Sequence, residues 1–293
     1  MGNAGSQPTN RTGKKVVAQK LETAKKTGIL SLTEHKLDSI PGQVFQIPNL
    51  RTLDVSKNNL KDLSYLSQLK ALKSLNCDDN KLAAGTLDAV SELSKLQNLS
   101  AGGNQIGKPI PVGAAAASPK KNKKTTTILP ELPPSLKQLK LDRNHLSSIP
   151  RQLVSVKLRK LEKMDLSGNN LAAIPVEISN LSALTELNLD NNSVVSLPDS
   201  IGSLTKLKVL SLKNNHIHVT KGVVHSTSNP QPLPRSLFVD TPIIDLNLHG
   251  NRMTSTQLNE FDGYPEFLER RQKVKSKDIY GGALTNLDVC GLE

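Results

Sequence analysis

The sequence predicts an α/β repeat solenoid: a curved horseshoe with a parallel inner β-sheet and short helices or turns on its convex side. Three observations predict it. Aromatic residues make up only 2% of the 293 residues, with no Trp, three Tyr and four Phe, so the core is aliphatic. Leucine recurs along the whole chain in alternating L-x-L units. An asparagine then follows each unit at a fixed distance, which is the signature of small equivalent layers stacked in one dimension.

The copies begin LRTLDVSKNNL at Leu50, LKSLNCDDNKL at Leu72, LQNLSAGGNQI at Leu96 and LKQLKLDRNHL at Leu136. They continue as LEKMDLSGNNL at Leu161, LTELNLDNNSV at Leu184, LKVLSLKNNHI at Leu207 and IIDLNLHGNRM at Ile243. An imperfect first copy, with Leu30, Leu32, His35 and Leu37, makes nine. The asparagines Asn58, Asn80, Asn104, Asn144, Asn169, Asn192, Asn215 and Asn251 are spaced by 22, 24, 40, 25, 23, 23 and 36 residues, so two steps carry insertions.

Each element follows from this pattern. In L-x-L the period is two, so both leucines face the core and the residue between them faces out. The asparagine sits where the chain leaves the sheet, and its amide can both donate to and accept from neighbouring turns. After the strand, Ile174-Pro175 and Leu197-Pro198 lead to Ile178, Leu181, Ile201 and Leu204 at spacings that suit a short helix or turn on the outer side.

The predicted organisation is a flexible lipidation segment at 1–13, a capping helix at 14–28 and nine repeats over 29–256. A helical cap follows at 257–278, then a flexible tail at 279–293. The capping helix rests on Val17, Leu21 and Ala24 on one face and Gly28 at its stop; the second cap rests on Leu258, Phe261, Tyr264, Phe267 and Leu268. Disordered insertions are expected at about 107–135, with Lys120, Lys121, Lys123 and Lys124, and at about 221–241.

The search for catalytic or metal chemistry yields little. Gly102, Gly107 and Lys108 spell G-x-x-x-x-G-K, but Pro109 follows where a nucleotide loop needs Ser or Thr, and Asn104 and Ile106 already belong to the repeat. His216 and His218 have no Cys or carboxylate at zinc-ligand spacing. Cys77 takes a core position of L-x-L, and Cys290 begins CGLE, a poor prenylation match. No cofactor, metal or catalytic set is expected.

The two distant cysteines and the lack of a signal-like or bilayer-length apolar run predict a cytoplasmic protein. The formal net charge of +12 implies an anionic partner. MGNAGS fits M-G-x-x-x-[ST], which makes Gly2 the expected N-myristoylation site. Arg11, Lys14, Lys15, Lys20, Lys25 and Lys26 lie just downstream and supply the second, electrostatic membrane signal.

The outward positions of the inner sheet form the expected protein-binding face: Asp54, Asn76, Asp78, Asp79, Lys140, Arg143, Lys163, Asp165, Glu186, Asn188, Asp190 and Asn247. Its mixed charge disfavours nucleic acid, which needs a basic groove with stacking aromatics.

The repeats match the L-x-x-L-x-L-x-x-N-x-L pattern and resemble the intracellular leucine-rich-repeat families with a 23-residue, Ile-Pro-containing unit. The Met-Gly-Asn start, LETAKKTGIL and LNEFDGYPEFLER are similar to an N-myristoylated branch of them. The resemblance implies a peripheral membrane adaptor without enzymatic activity, on the inner face of a membrane, with Gly2 as the modified residue; a monomer is expected. The alternative is a regulatory subunit wrapping a phosphatase or small GTPase.

Overall fold

The computed structural model describes residues 11–108, 128–219, 231–279 and 290–292. The predicted lipidation segment before Arg11, the Lys120–Lys124 cluster and residues 220–230 and 280–289 lie outside them. The chain divides into two compact units, residues 1–146 and 147–293.

The first unit opens with helix α1 (Arg11–Thr27), three residues earlier than the sequence pattern suggests, and continues into strands β1 (Ile29–Ser31), β2 (Thr52–Asp54), β3 (Ser74–Asn76), β4 (Asn98–Ser100) and β5 (Gln138–Lys140). All four pairings are parallel and in repeat phase, with Leu30, Leu53, Leu75, Leu99 and Leu139 side by side. Leu21 and Ala24 bury α1 against this stack.

The second unit holds β6 (Lys163–Asp165), β7 (Glu186–Asn188), β8 (Val209–Ser211), α2 (Arg235–Val239), β9 (Asp245–Asn247), α3 (Ser255–Asn259) and α4 (Tyr264–Ile279). Met164, Leu187, Leu210 and Leu246 align in the same way. Every inward L-x-L side chain of both units is buried. Each such leucine contributes about 1.5–3 kcal/mol before entropy is subtracted.

The outer segments are mostly 3₁₀ turns of three to five residues rather than α-helices. Proline sets several of them. Its φ near −65° starts the turn, and its carbonyl accepts the N–H of the apolar residue three positions on. The bonds are Val44 to Pro41 (3.0 Å), Leu153 to Pro150 (2.8 Å), Ile178 to Pro175 (3.1 Å), Ile201 to Pro198 (3.0 Å) and Leu237 to Pro234 (3.0 Å).

That last turn corrects the second insertion. Residues 231–241 are not loop throughout: Pro234 opens α2, and Leu233, Leu237 and Phe238 are buried in the core. The first insertion also narrows, because Leu129 and Leu132 are buried and Leu136 donates to the Pro133 carbonyl.

A ladder of asparagines closes the other side. Asn80 Oδ1 accepts the Leu60 N–H of the preceding repeat at 2.9 Å, and Nδ2 donates to the Val55, Cys77 and Asp78 carbonyls. Asn104, Asn144, Asn192, Asn215 and Asn251 accept in the same way from Leu82, Ile106, Leu171, Val194 and Ile217. The residue before each ladder asparagine is left-handed, whatever its identity: Lys57, Asp79, Gly103, Arg143, Gly168, Asn191, Asn214 and Gly250 all have positive φ.

The C-terminal cap is built on Phe238, Tyr264 and Phe267, with ring centroids 5.6–6.1 Å apart. Arg270 donates to the Ile243 and Phe238 carbonyls at 2.8 and 2.6 Å, satisfying backbone acceptors of the last repeat. A Thr254–Gln257 capping box starts α3. The tail does not run free to its end. Leu248 N–H donates to the Cys290 carbonyl at 2.8 Å, and Cys290 and Leu292 are buried. The edge of β9 would otherwise present that N–H, so the tail occupies the place a further strand would take.

Candidate functional site

The outward side chains of the strands form a polar column on each unit. In the first, Asp54 accepts the Ser56 N–H (3.0 Å) and hydroxyl (2.7 Å), and Asn76 accepts the Asp78 N–H (3.1 Å). In the second, Asp165 repeats the bonds to Ser167, and Asn188 and Asn247 accept the Asp190 and His249 N–H groups at 3.0 Å. Short Asx side chains here shape the turn that leaves the strand. These residues therefore carry a local structural duty beside the binding role expected of the face.

Asp78 is the most constrained of them. It takes the Ser100 hydroxyl at 2.7 Å and the Gly102 N–H at 2.7 Å, yet burial outweighs these bonds and holds its carboxyl above the usual range. Beside it, Arg143 Nη1 pairs with Asp79 at 2.8 Å and Nε with Asp142 at 3.0 Å. The other Asp142 oxygen is buried without a hydrogen-bond partner. Ser100, Ala101, Gly102 and Gly103 make this the smallest rung, and the carboxylates lean into the space. Any side chain at Gly102 would collide with Asp142.

Lys140 is exposed on the neighbouring strand. In the second unit, Lys163 pairs with Glu186 at 2.6 Å, and Asp190 accepts the Lys213 N–H at 2.8 Å. The structure thus keeps Asp54, Asn76, Asp78, Asp79, Lys140 and Arg143 on one unit's face and Lys163, Asp165, Glu186, Asn188, Asp190 and Asn247 on the other's.

The expected membrane-facing residues are less uniform. Gly2 lies outside the described residues, and Arg11 and Lys14 fall in the first turn of α1. Lys15 and Lys26 are exposed, Lys25 pairs with Glu22 at 2.6 Å, and Lys20 turns inward to His35 Nε2 at 3.0 Å. Burial, and then Lys20, lower the His35 pKa. The imidazole accepts a hydrogen bond from the Lys20 ammonium at the position where later repeats carry asparagine.

The residues set aside as structural sit in structural places. Cys77 is fully buried, its thiol pushed up by burial, and it donates to the Ser100 carbonyl at 3.2 Å. The amides of Gly102 and Gly103 are used by Asp78 and the Asp142 carbonyl, so the glycines do not form a phosphate cradle. Among the described residues there is no cluster of three or more His, Cys, Asp or Glu suited to a metal, and no helix long and apolar enough to cross a membrane. The burial of Cys290 was not legible beforehand; its thiol pKa is pushed up to about 12, first by burial, and it hydrogen-bonds Tyr264.

Two family models match repeats in register: "Leucine rich repeat" over residues 134–194 and "Leucine Rich repeats (2 copies)" over residues 48–95. Together with the L-x-L strands and the asparagine ladder they decide the identity. The chain is a leucine-rich-repeat protein. Osteomodulin from Bos taurus is 32% identical over 167 residues, and osteomodulin from Rattus norvegicus 30% over 167 residues. The match covers 54% of this leucine-rich-repeat chain and 39% of each osteomodulin, so the alignment spans well under half of those relatives.

Among solved structures, a leucine-rich-repeat protein of Leptospira interrogans is similar with TM-score 0.58 and 28% identity, over 77% of this chain and 55% of that one. A chain of an octameric complex of latrophilin 3, Unc5D and the leucine-rich-repeat part of FLRT2 is similar with TM-score 0.58 at 22% identity. It covers 80% of this chain and 64% of that one, and it speaks to the fold alone. Leucine-rich-repeat domains generally mediate protein–protein interaction and are generally non-catalytic modules.

Proposed function

We propose that this leucine-rich-repeat protein is a non-catalytic adaptor that binds protein partners through the outward faces of its strands. We propose further that it is tethered to the cytoplasmic face of a membrane by a myristoyl group on Gly2, as in the intracellular N-myristoylated type. The observation that carries the binding role is the polar, mixed-charge column on a backbone fixed by strands, Asx turns and ladder asparagines. A rigid face loses little entropy on binding. The tether is supported by the Met1-Gly2 to Ser6 pattern and the basic residues of α1.

Intact mass of the native protein, with membrane fractionation of wild type and Gly2→Ala, tests the tether. One added myristoyl group and release of Gly2→Ala into the soluble fraction are expected; an unmodified Gly2 overturns it. Quantitative cross-linking capture with Lys140→Glu and with Asp245→Lys tests the faces, against Val176→Lys on an outer turn as control. Both substituted side chains are exposed and neither is used in a turn bond, unlike Asp165 and Asp190. Loss of the same partners in the control overturns the assignment of the face. A single stoichiometric enzyme among the lost partners would identify a regulatory subunit.

A further inference from the structure

We propose that one edge of the first unit's sheet, carrying Lys26, Arg51, Lys73 and Lys95, is a docking surface for an anionic lipid bilayer. It deepens the membrane reading above and rests on it.

The charge is unevenly placed. Residues 1–146 contain 22 Lys and Arg against 11 Asp and Glu, whereas residues 147–293 contain 16 against 15. Within the first unit, the residues entering the strands are hydrogen-bonded to one another. Arg51 N–H donates to the Gly28 carbonyl (2.8 Å), Lys73 to Arg51 (2.8 Å), Gln97 to Lys73 (2.8 Å) and Lys137 to Gln97 (2.7 Å).

Arg51 and Lys73 therefore stand one strand spacing apart, about 4.8 Å, while Gln97 separates Lys73 from Lys137. The Arg51–Lys73 spacing is shorter than the screening length of about 8 Å at physiological salt, so these two act on a surface together. The adjoining positions Asn49, Ala71, Lys95 and Ser135 add another cation, and the two rows contain no carboxylate. Lys26 joins the rows directly: it lines a recess of about 310 Å³ with Gly28, Asn49, Arg51 and Ala71. Lys26, Arg51, Lys73 and Lys95 are all exposed.

The edge explains what the N-terminal segment alone does not. Lys20 and Lys25 are engaged by His35 and Glu22, so the α1 cluster is smaller than its sequence suggests.

A single-stranded nucleic acid would need aromatic platforms beside such cations. The first unit's aromatics, Phe45 and Tyr65, instead pack against each other in the outer turns, their rings tilted by 48° at 5.8 Å between centroids.

The test uses the full chain without acylation and sedimentation with phosphatidylcholine vesicles, with and without about one third phosphatidylserine. Wild type should bind only the anionic vesicles. The triple variant Arg51→Gln, Lys73→Gln, Lys95→Gln should bind about 100-fold more weakly, at about fivefold per lost charge. The variant Lys36→Gln, Lys57→Gln, Lys81→Gln removes the same net charge from the turns beyond the strands and should change binding less than about fivefold.

Equal losses in the two variants, or no phosphatidylserine dependence, overturn the proposal. So does tighter binding of single-stranded RNA than of vesicles that the edge variant abolishes, which would make the edge a nucleic-acid surface. Because the protein is unacylated, these outcomes are independent of Gly2. An unmodified Gly2 in native protein would instead remove the tether and leave the edge result standing.

Discussion

Replacing Asn80 with alanine isolates what one rung of the ladder does. The buried Leu60 N–H loses the acceptor it holds at 2.9 Å. The three carbonyls that Nδ2 served each keep another donor: Val55 keeps Asn58, Cys77 keeps Asn104, and Asp78 keeps the Lys57 N–H. One orphaned buried donor costs about 1–3 kcal/mol, and the weakened carbonyl bonds about 1 more, so Asn80→Ala should lose about 2–4 kcal/mol.

Asn80→Asp keeps the acceptor but turns a carboxylate toward those carbonyls. The folded state then raises that carboxyl's pKa, so the variant should be most stable at low pH and lose stability as pH rises through the raised value. Urea unfolding followed by circular dichroism, compared at unchanged m, reads both effects. A loss below about 0.5 kcal/mol for Asn80→Ala, or an Asn80→Asp variant more stable at pH 7 than at pH 5, would refute the donor–acceptor account.

Other outcomes follow from single sites. Asp78 is held above the ordinary carboxylate range by burial, so its contribution is fully present below the unfolded pKa and is lost as pH rises. Asp78→Asn should therefore gain on wild type as pH is raised from 4 to 7 in paired urea titrations, and a constant difference would contradict this.

Gly28 has φ of +71°, and a Cβ there would meet the Asn49 carbonyl at 2.6 Å; Gly28→Ala should cost about 2 kcal/mol by the same titration, and a neutral result would exclude strain at the α1–β1 joint. Both thiols are buried with raised pKa, so a disulfide reagent at pH 8 should modify neither promptly in native protein and both in urea. Ending the chain before Cys290 leaves the Leu248 N–H without its 2.8 Å acceptor and should cost about 1–3 kcal/mol; unchanged stability would show that the docked tail does not cap the sheet.

Much of the fold was legible because the repeat repeats. A single L-x-L is ambiguous, but eight further copies in phase with a following asparagine leave one way to bury the leucines. The ladder bonds of Asn58, Asn104 and Asn215 realise that reading directly. The second insertion was drawn too wide because its proline turn at Pro234 lies far from the preceding strand in sequence. What fixes that turn is packing, since Leu197 N–H donates to the Pro232 carbonyl and Ser236 donates to the Asp199 carbonyl.

The candidate faces were legible as positions but not as partners. Which side chain faces outward follows from the period of two, so Asp54, Asn76, Lys140, Asp165 and Asn188 could be placed from sequence. Whether such a residue is committed to its own turn depends on where a neighbouring repeat puts its N–H groups. Asp190 shows this through its bond to the Lys213 N–H, 23 residues away.

By itself the sequence determined the unit: its inward leucines, its outward polar residues, its turn asparagine and its overall positive charge are all local or additive properties. Only the tertiary structure decided which charges stand together. Arg51, Lys73 and Lys137 are separated by 22 and 64 residues of chain, yet stacking sets Arg51 beside Lys73 and Lys137 one strand beyond Gln97. Lys20 and Lys26, six residues apart on one helix, face His35 and Arg51 respectively. Charge is counted along the chain but acts through space, and the stacking of repeats converts one into the other.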